Sequence, residues 1–431
     1  MKKEHDKKPR QWFKLDNAGK IFPGQNTSKW SNVIRLSATL YDDIDPEVLE
    51  KALITTLKRF PCFDVRMRRG FFWYYLEQNK HDAPPVMEDI KNPCQRIKWN
   101  ENDGFLFRVY YYKKRISVEF FHALTDAYGA SRFLMTMVAV YLRMLGHDIP
   151  NGESVLNIDE KANADELEDP FLKVETSRVK KSRKKNFVYH FIGTREPAHM
   201  VNITTGYMPV DKLKAEAKKY NVTITEFVSA VLLDVLYRKQ LEEGGKQKEV
   251  AVQIPVSLRN TFPTKTLRNF SLCYDYRIDP NLGEYTFPEI VNKLSHYLRY
   301  INNEKELRSM VSANLGLEKN IFARMLPLFI KNLGVGIAFA ITGEQTSSVV
   351  MSNLGILKVP EEMKEFVDSV ILVNCPGKIN GARFTSVSYQ NKFALTVSNI
   401  YKETDIEREA FTRFVKMGIP VKIESNRTFI D

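Results

Sequence analysis

The sequence predicts an α+β protein built as two lobes, each a mixed sheet with flanking helices. The chain has 431 residues, which exceeds the usual size of one domain. Its short β-branched and aromatic runs come mostly in hairpin-like groups, and each half of the chain adds helices to such a group. We therefore expect an N-terminal lobe at residues 1–186 and a C-terminal lobe at residues 187–431.

The clearest unit of the first half is a strand followed by a helix. Residues 33–40 are typical of a strand, and Asp45 is placed to cap a helix that begins at Pro46. Apolar residues then recur at helical spacing as far as Phe60. The next runs are short and separated by glycine or charged turns, which indicates antiparallel strands.

The second half repeats this alternation of strands and helices. Thr223 and Glu226 form a capping-box pattern at the start of one helix. Further strands, a helix, a hairpin and a closing helix are predicted at 249–258, 271–278, 287–301, 384–400 and about 405–417. These elements complete the second predicted lobe.

Composition limits the function classes. The net charge of +12 raises the possibility of anionic partners, but no recognisable RNA or DNA module focuses it, so we expect no nucleic-acid role. The basic run 178–185 follows an acidic stretch and is typical of a solvated linker. The apolar segment 325–342 is interrupted by Lys331 and Asn332, which favours a buried helix and at most peripheral membrane contact.

The cysteines and the N-terminus indicate a cytoplasmic protein. The four cysteines lie far apart and form no metal-ligand pattern, so neither a metal site nor a disulfide scaffold is expected. Residues 1–24 are charged and lack the apolar region that a signal peptide requires.

One histidine and one aspartate stand four residues apart where a strand pattern gives way to a helix. The alternation of residues 116–120 continues to His122, and Asp126 falls at the start of the helix. A core histidine followed by a capping aspartate explains this geometry, and so does a catalytic pair. The spacing alone leaves both readings open.

The stretch FHALTDAYG, residues 121–129, resembles the HHxxxDG signature of the acyl-CoA-dependent acyltransferase superfamily. That superfamily includes chloramphenicol acetyltransferase, condensation domains and alcohol O-acetyltransferases. The likeness continues through WFKLDNAGKIFPG, PVSLRNTFPTKTLRNFS and MSNLGILKVP, in an order that resembles bacterial alcohol-acetyltransferase-like and condensation-type proteins. Two positions depart from the signature, since Phe121 replaces its first histidine and Ala127 its glycine.

The resemblance implies two chloramphenicol-acetyltransferase-like lobes with a tunnel between them, and it assigns roles to residues. His122 matches the general base. Asp126 matches a carboxylate that makes a structural ion pair with an arginine, which is Arg259 by analogy with condensation domains or Arg35 by analogy with chloramphenicol acetyltransferase. The residues expected along the substrate channel are Ala127, Gly129, Asn269, Ser352, Asn353 and Gly355.

The resemblance also implies the substrates. The expected donor is a phosphopantetheine thioester, either acyl-CoA as co-substrate or one carried by an acyl carrier protein, with no bound cofactor. An alcohol or amine is the expected acceptor of an acyl group such as acetyl. The run 178–185, Lys265 and Arg268 are candidates to hold the phosphates of coenzyme A. The alternative is a weakly active or inactive condensation-like protein that binds an acyl carrier protein, for which Ala127 is the sequence hint.

Overall fold

The computed structural model describes residues 11–27, 31–179, 186–334 and 344–427. The strands in these ranges are β1 Trp12–Lys14, β2 Val33–Leu40, β3 Val65–Arg69, β4 Tyr74–Gln78, β5 Val86–Glu88, β6 Phe107–Tyr112, β7 Arg115–Phe121, β8 Asn202–Pro209, β9 Val250–Ser257, β10 Ser271–Ile278, β11 Val349–Ile356, β12 Val367–Asn374, β13 Ala382–Tyr389, β14 Lys392–Asn399 and β15 Lys422–Ser425. The α-helices in these ranges are Phe22–Gln25, Pro46–Arg59, Ala127–Met144, Ala164–Leu167, Val210–Lys219, Ile224–Glu243, Phe287–Ile301, Glu304–Lys319, Ile321–Met325, Glu361–Lys364 and Asp405–Lys416, and residues 328–334 are also helical.

A five-stranded sheet forms the centre of the first lobe, in the order β12-β2-β7-β6-β5. All neighbours are antiparallel except β5 and β6. The two long helices Pro46–Arg59 and Ala127–Met144 pack against each other, and the second of them contacts β2 and β7. The β7 strand therefore lies in the middle of the sheet and delivers the residues that follow it to the junction with the second lobe.

The strand β12 belongs to the first lobe's sheet although it comes from the C-terminal half of the chain. It pairs antiparallel with β2 along its length. Its inward residues Val370 and Leu372 are buried in the first lobe's core. The division predicted at residue 186 therefore needs a correction at residues 367–374, because the chain returns there to complete the first sheet.

The second lobe contains a seven-stranded sheet in the order β10-β9-β11-β13-β14-β8-β15. The strand β11 runs parallel to both β9 and β13, and the other neighbours are antiparallel. The helix Ile224–Glu243 is buried along most of its length against this sheet. A third sheet, in the order β1-β4-β3, is small and lies at the edge of the cavity between the lobes.

The predicted helix starts are confirmed. Asp45 accepts hydrogen bonds from the backbone N–H groups of Glu47 and Val48, and Pro46 is the first helical residue. Thr223 and Glu226 form the reciprocal capping box. Within the described ranges, no single helix has the length and apolar composition to cross a membrane. Among the described helices, only those at 210–219 and 224–243, which are bent relative to each other, have that length and composition when they are counted together.

Candidate active site

A cavity of about 1860 Å³ lies between the two large sheets. First-lobe residues that line it include Ile34 on β2 and His122 after β7. Second-lobe residues that line it include Pro255 on β9 and Ser352 on β11. A space of this size, walled by both lobes, is large enough for a ligand bigger than an ordinary drug-sized molecule.

The imidazole of His122 is held in this cavity by contacts on three sides. The strand β7 ends at Phe121, and the backbone N–H of His122 still donates to the Asn32 carbonyl at 2.8 Å. The ring stacks on Phe22, with 4.4 Å between ring centroids and 16° between planes. Its Nδ1 lies 3.0 Å from Oδ1 of Asn269. The half-buried ring is therefore fixed in position where it faces the cavity.

The hydrogen bonds of Asn269 determine which nitrogen of His122 carries the proton. The amide Nδ2 of Asn269 lies 3.2 Å from Oδ2 of Asp16 and 3.0 Å from the His122 carbonyl oxygen. Both partners can only accept hydrogen bonds, so the NH₂ group must face them and Oδ1 must face the ring. A ring nitrogen beside that oxygen has to donate. The proton of neutral His122 therefore resides on Nδ1, which leaves a lone pair on Nε2.

The surroundings of His122 favour its neutral form. Burial lowers the pKa of His122 below its ordinary value of 6.5, and the positive charge of Arg383 lowers it further. Hydrogen bonding to its own backbone and to Asn269 and the charge of Asp126 act in the opposite direction but do not outweigh burial. An imidazole with this pKa is unprotonated at neutral pH.

Asp126 also lines the cavity, and its carboxylate contacts both the helix that follows and the second half of the chain. Its carboxylate caps the helix Ala127–Met144 by accepting from the Tyr128 and Gly129 N–H groups at 3.1 and 3.3 Å. It also pairs with Arg259, whose Nη1 lies 2.7 Å from Oδ2, and it accepts from the Phe270 N–H at 3.0 Å. This carboxylate therefore joins the turn after β7 to the segment 259–270.

The ion pair expected between Asp126 and Arg259 is thus present, and Arg35 has other partners. Arg35 donates from Nη1 to Glu119 at 3.0 Å and from Nη2 to Asp89. These carboxylates are buried with it inside the first lobe's sheet. Arg35 does not serve Asp126.

Four of the six residues expected along the channel line the cavity. Three of them, Ala127, Ser352 and Asn353, form part of its wall. Asn353 is also tied into the second lobe, since its Nδ2 donates to Oγ1 of Thr225 at 2.7 Å. Asn269 lines the cavity as well, but its contacts make it a partner of His122 rather than a simple wall residue.

The two glycines of that set lie outside the cavity lining, which corrects their expected place. Gly129 is buried where a Cβ would overlap the Leu267 carbonyl oxygen, so this glycine allows the helix to approach the segment 259–270. Gly355 has a φ of +86° with open space around it, and its N–H donates to Oδ1 of Asn353 at 2.9 Å. It lies within β11, where the register with β13 shifts at a bulge.

The predicted phosphate ligands are also corrected in one case. Arg268 is buried, donates to the carbonyls of Lys14 and Leu167 at 2.7 and 3.2 Å, and lies 3.5 Å from Asp16. Its guanidinium therefore already binds groups of the protein and is not free to bind a phosphate. Lys265 is exposed and does not line the cavity. Most of the basic run, residues 180–185, lies outside the described residues.

Three residues of the site had no role in the sequence-based prediction. Asp16 and Phe22 belong to the stretch WFKLDNAGKIFPG, whose resemblance to the family was the only signal that could have found them. Arg383 on β13 lines the cavity and acts on His122 through its charge. No motif singled it out.

Comparison with known proteins places this fold. No protein-family model matches the chain, and no curated protein matches its sequence significantly. The structure of F. sporotrichioides TRI101 complexed with coenzyme A and T-2 matches with a TM-score of 0.63 at 12% identity, over 97% of this chain and 100% of that one. TRI3 trichothecene 15-O-acetyltransferase from Fusarium sporotrichioides matches with a TM-score of 0.58 at 10% identity, over 96% of each chain. The condensation domain of the monacolin K polyketide synthase MokA matches with a TM-score of 0.56 at 11% identity, over 94% of this chain and 96% of that one.

The predicted fold class is therefore confirmed. The chain has the two-lobed α+β fold that acetyltransferases and condensation domains share, along nearly its whole length. At 10 to 12% identity the likeness concerns the fold alone, so the chemistry has to be argued from the site.

Proposed function

We propose that this protein transfers an acyl group, acetyl being the first to test, from acyl-CoA to an alcohol or amine acceptor, with His122 as general base. The observation that carries the proposal is the neutral imidazole on the cavity wall, with Nδ1 held by Asn269 and a lone pair on Nε2. Such a group accepts a proton at neutral pH. The likeness to the structure of TRI101 with coenzyme A supports the choice of donor.

The proposed reaction takes place in two steps. Nε2 of His122 takes the proton of the acceptor hydroxyl while the hydroxyl oxygen forms a bond to the carbonyl carbon of the thioester. The π electrons of the carbonyl move to the carbonyl oxygen. The tetrahedral intermediate then collapses and breaks the C–S bond. The proton passes from Nε2 to the leaving sulfur, which yields an ester, a free thiol and a neutral imidazole.

In this proposal Asp126 and Arg259 do not touch the substrate. Their ion pair fixes the turn after β7 against the segment 259–270, which carries Asn269. Asn269 and Asp16 are positioning residues, because they set the tautomer of His122 rather than meet the reacting atoms. The proposed base is therefore aimed by residues from both halves of the chain.

The test follows release of free thiol from acetyl-CoA and longer acyl-CoA donors with a panel of alcohols and amines. Acceptor-dependent release is expected, and His122→Ala should reduce it about 10² to 10⁴-fold because general-base assistance is lost. The exposed His296 offers a matched control, and His296→Ala should keep wild-type turnover. Undiminished turnover in His122→Ala would refute the mechanism.

The same assay distinguishes acyl transfer from the alternative function, which is binding of an acyl carrier protein without turnover. Ala127 places its methyl group on the cavity wall where the family signature has glycine, and this substitution favours a protein that binds without turnover. Absence of thiol release with every donor, together with tight binding of an acyl carrier protein, would support that alternative. Ala127→Gly would then be expected to restore turnover.

A further inference from the structure

The cavity has an apolar mouth formed by two segments that lie far apart in sequence. We define the mouth patch as Phe71, Phe72 and Trp73 at the tip of the β3–β4 hairpin, with Met325, Phe329 and Ile330 from the helical region 321–334. Each is exposed, with Phe71 at 71%, Met325 at 69% and Phe329 at 63% of full exposure. A cluster of this kind is uncommon on a monomeric protein and marks an interaction site.

The two segments hold each other in place. The Leu328 N–H donates to the Phe71 carbonyl at 2.9 Å, and Nζ of Lys331 donates to the Phe72 carbonyl at 3.0 Å. The same Nζ lies 3.6 Å from the centre of the Trp73 ring, a cation–π contact. The mouth patch is therefore a formed surface and not a set of separate side chains.

The mouth patch is continuous with the cavity that contains His122. Phe71, Phe72, Trp73 and Ile330 line the cavity as well as the outer surface. An apolar molecule resting on the patch can thus pass into the cavity along apolar side chains. This continuity distinguishes the mouth patch from an exposed apolar surface that has no connection to a cavity.

The two segments that form the mouth patch carry charge of one sign only. The segments RRGFFW (68–73) and IFARMLPLFIKNLG (321–334) contain Arg68, Arg69, Arg324 and Lys331 and no acidic residue. Glu77 and Glu318 also line the cavity, but Glu77 is paired with Arg66 and Arg68, and Glu318 is paired with Lys20. Exposed aromatic and aliphatic side chains flanked by Lys and Arg are the combination that settles at the surface of an anionic bilayer.

We propose that the mouth patch docks on an anionic phospholipid bilayer and admits a lipophilic acceptor from it into the cavity. The acceptor class rests on the proposed function, whereas the docking does not. Charge complementarity favours this occupant, and the direct path from the patch to the cavity fits an acceptor that never has to cross water. A folded protein partner would need to offer a large apolar face to three adjacent aromatic side chains.

The test is flotation of the full chain with vesicles of phosphatidylcholine, with and without phosphatidylglycerol. We expect binding to the vesicles with phosphatidylglycerol, weaker binding to phosphatidylcholine alone, and release by salt. Phe329→Ser and Arg324→Glu should each reduce binding about tenfold or more, since each removes one apolar or electrostatic contribution. The controls are Leu282→Ser and Lys402→Glu, at an exposed leucine and an exposed lysine outside the patch.

Several outcomes would overturn the docking proposal. These are absence of vesicle binding, equal binding by patch and control variants, or a dimer in ultracentrifugation that forms without vesicles and is lost in Phe329→Ser. His122→Ala separates the two proposals, because it should bind vesicles as the wild type does. Vesicle binding without acyl transfer to any acceptor would therefore refute the proposed function and leave the docking surface standing.

Discussion

Two buried arginines of this protein show how the same ion-pair chemistry can serve different ends. Arg35 pairs with Glu119, its direct neighbour across β2 and β7, and with Asp89 just after β5. Arg259 pairs with Asp126 and also donates to backbone carbonyls of its own segment. The first group ties together strands of one sheet, and the second ties the turn after β7 to the other half of the chain.

The difference teaches that burial and pairing do not identify a functional residue. Both arginine side chains are less than a tenth exposed, and both satisfy carboxylates. What separates them is the elements they join. Only the Arg259 group holds the two segments that carry His122 and Asn269, so only its loss should disturb the proposed site.

The largest effect is expected for Asp126→Ala. This change leaves Arg259 buried without its partner and removes the cap of the helix Ala127–Met144, so the free energy of unfolding should fall by roughly 3 to 5 kcal/mol. Turnover should fall as well, because the segment with Asn269 is released. Thermal melting and the thiol assay check both. An unchanged melting temperature would mean that this ion pair does not hold the two halves together.

A comparable loss of stability, without loss of turnover, is expected for Arg35→Met. Glu119 would remain buried without a cation and Asp89 would keep only Arg115, at 3.5 Å, which destabilises the fold by a similar roughly 3 to 5 kcal/mol. The rate per folded molecule, measured well below the melting temperature, should stay close to that of the wild type. If Arg35→Met reduced it as strongly as Asp126→Ala, the distinction between the two groups would be wrong.

A smaller effect is expected for Asp16→Asn. The new amide can offer an N–H to Asn269, so only the His122 carbonyl still requires the NH₂ group of Asn269 to face it, and the tautomer of His122 is enforced less strongly. We expect kcat to fall about ten- to a hundredfold, as for loss of one hydrogen bond to a charged group, with little change in KM. Asn269→Ala serves as the comparison. A change confined to KM would show that Asp16 contacts substrate instead.

The mildest effect is expected from pH. Because the pKa of His122 lies below 6.5, kcat/KM should be flat near neutral pH and fall about tenfold per pH unit once the pH drops below that pKa. Protonation removes the base, so activity is lost on the acidic side. A rate that rises as the pH is lowered through this range would contradict the assignment of His122 as a base.

Much of this arrangement could be predicted because it depends on local pattern or on the family resemblance. Asp45 and Thr223 cap helices by contacts with residues two or three positions away, and such local contacts can be predicted from residue type and spacing. The pair of Asp126 with Arg259 came from the resemblance alone. The spacing of His122 and Asp126 did not distinguish a site from a core.

The remainder depends on partners that lie far apart in the chain. No local pattern says that the strand β12 pairs with β2, which lies more than 300 residues away in the sequence. Arg268 was a candidate phosphate ligand, but its guanidinium binds Lys14 and Asp16, which lie near the start of the chain. Asn269 was expected on the wall, and only its contact with His122 showed that it positions the ring.

The central claim is that His122 stands neutral in the cavity with its proton on Nδ1 and Nε2 open to accept another. Nitrogen NMR of the protein with ¹⁵N-labelled histidine tests this directly, with the His122 signals assigned by their absence in His122→Ala. The account predicts the Nδ1–H tautomer at pH 7 and a pKa below 6.5. A proton on Nε2, or a charged ring at pH 7, would contradict it.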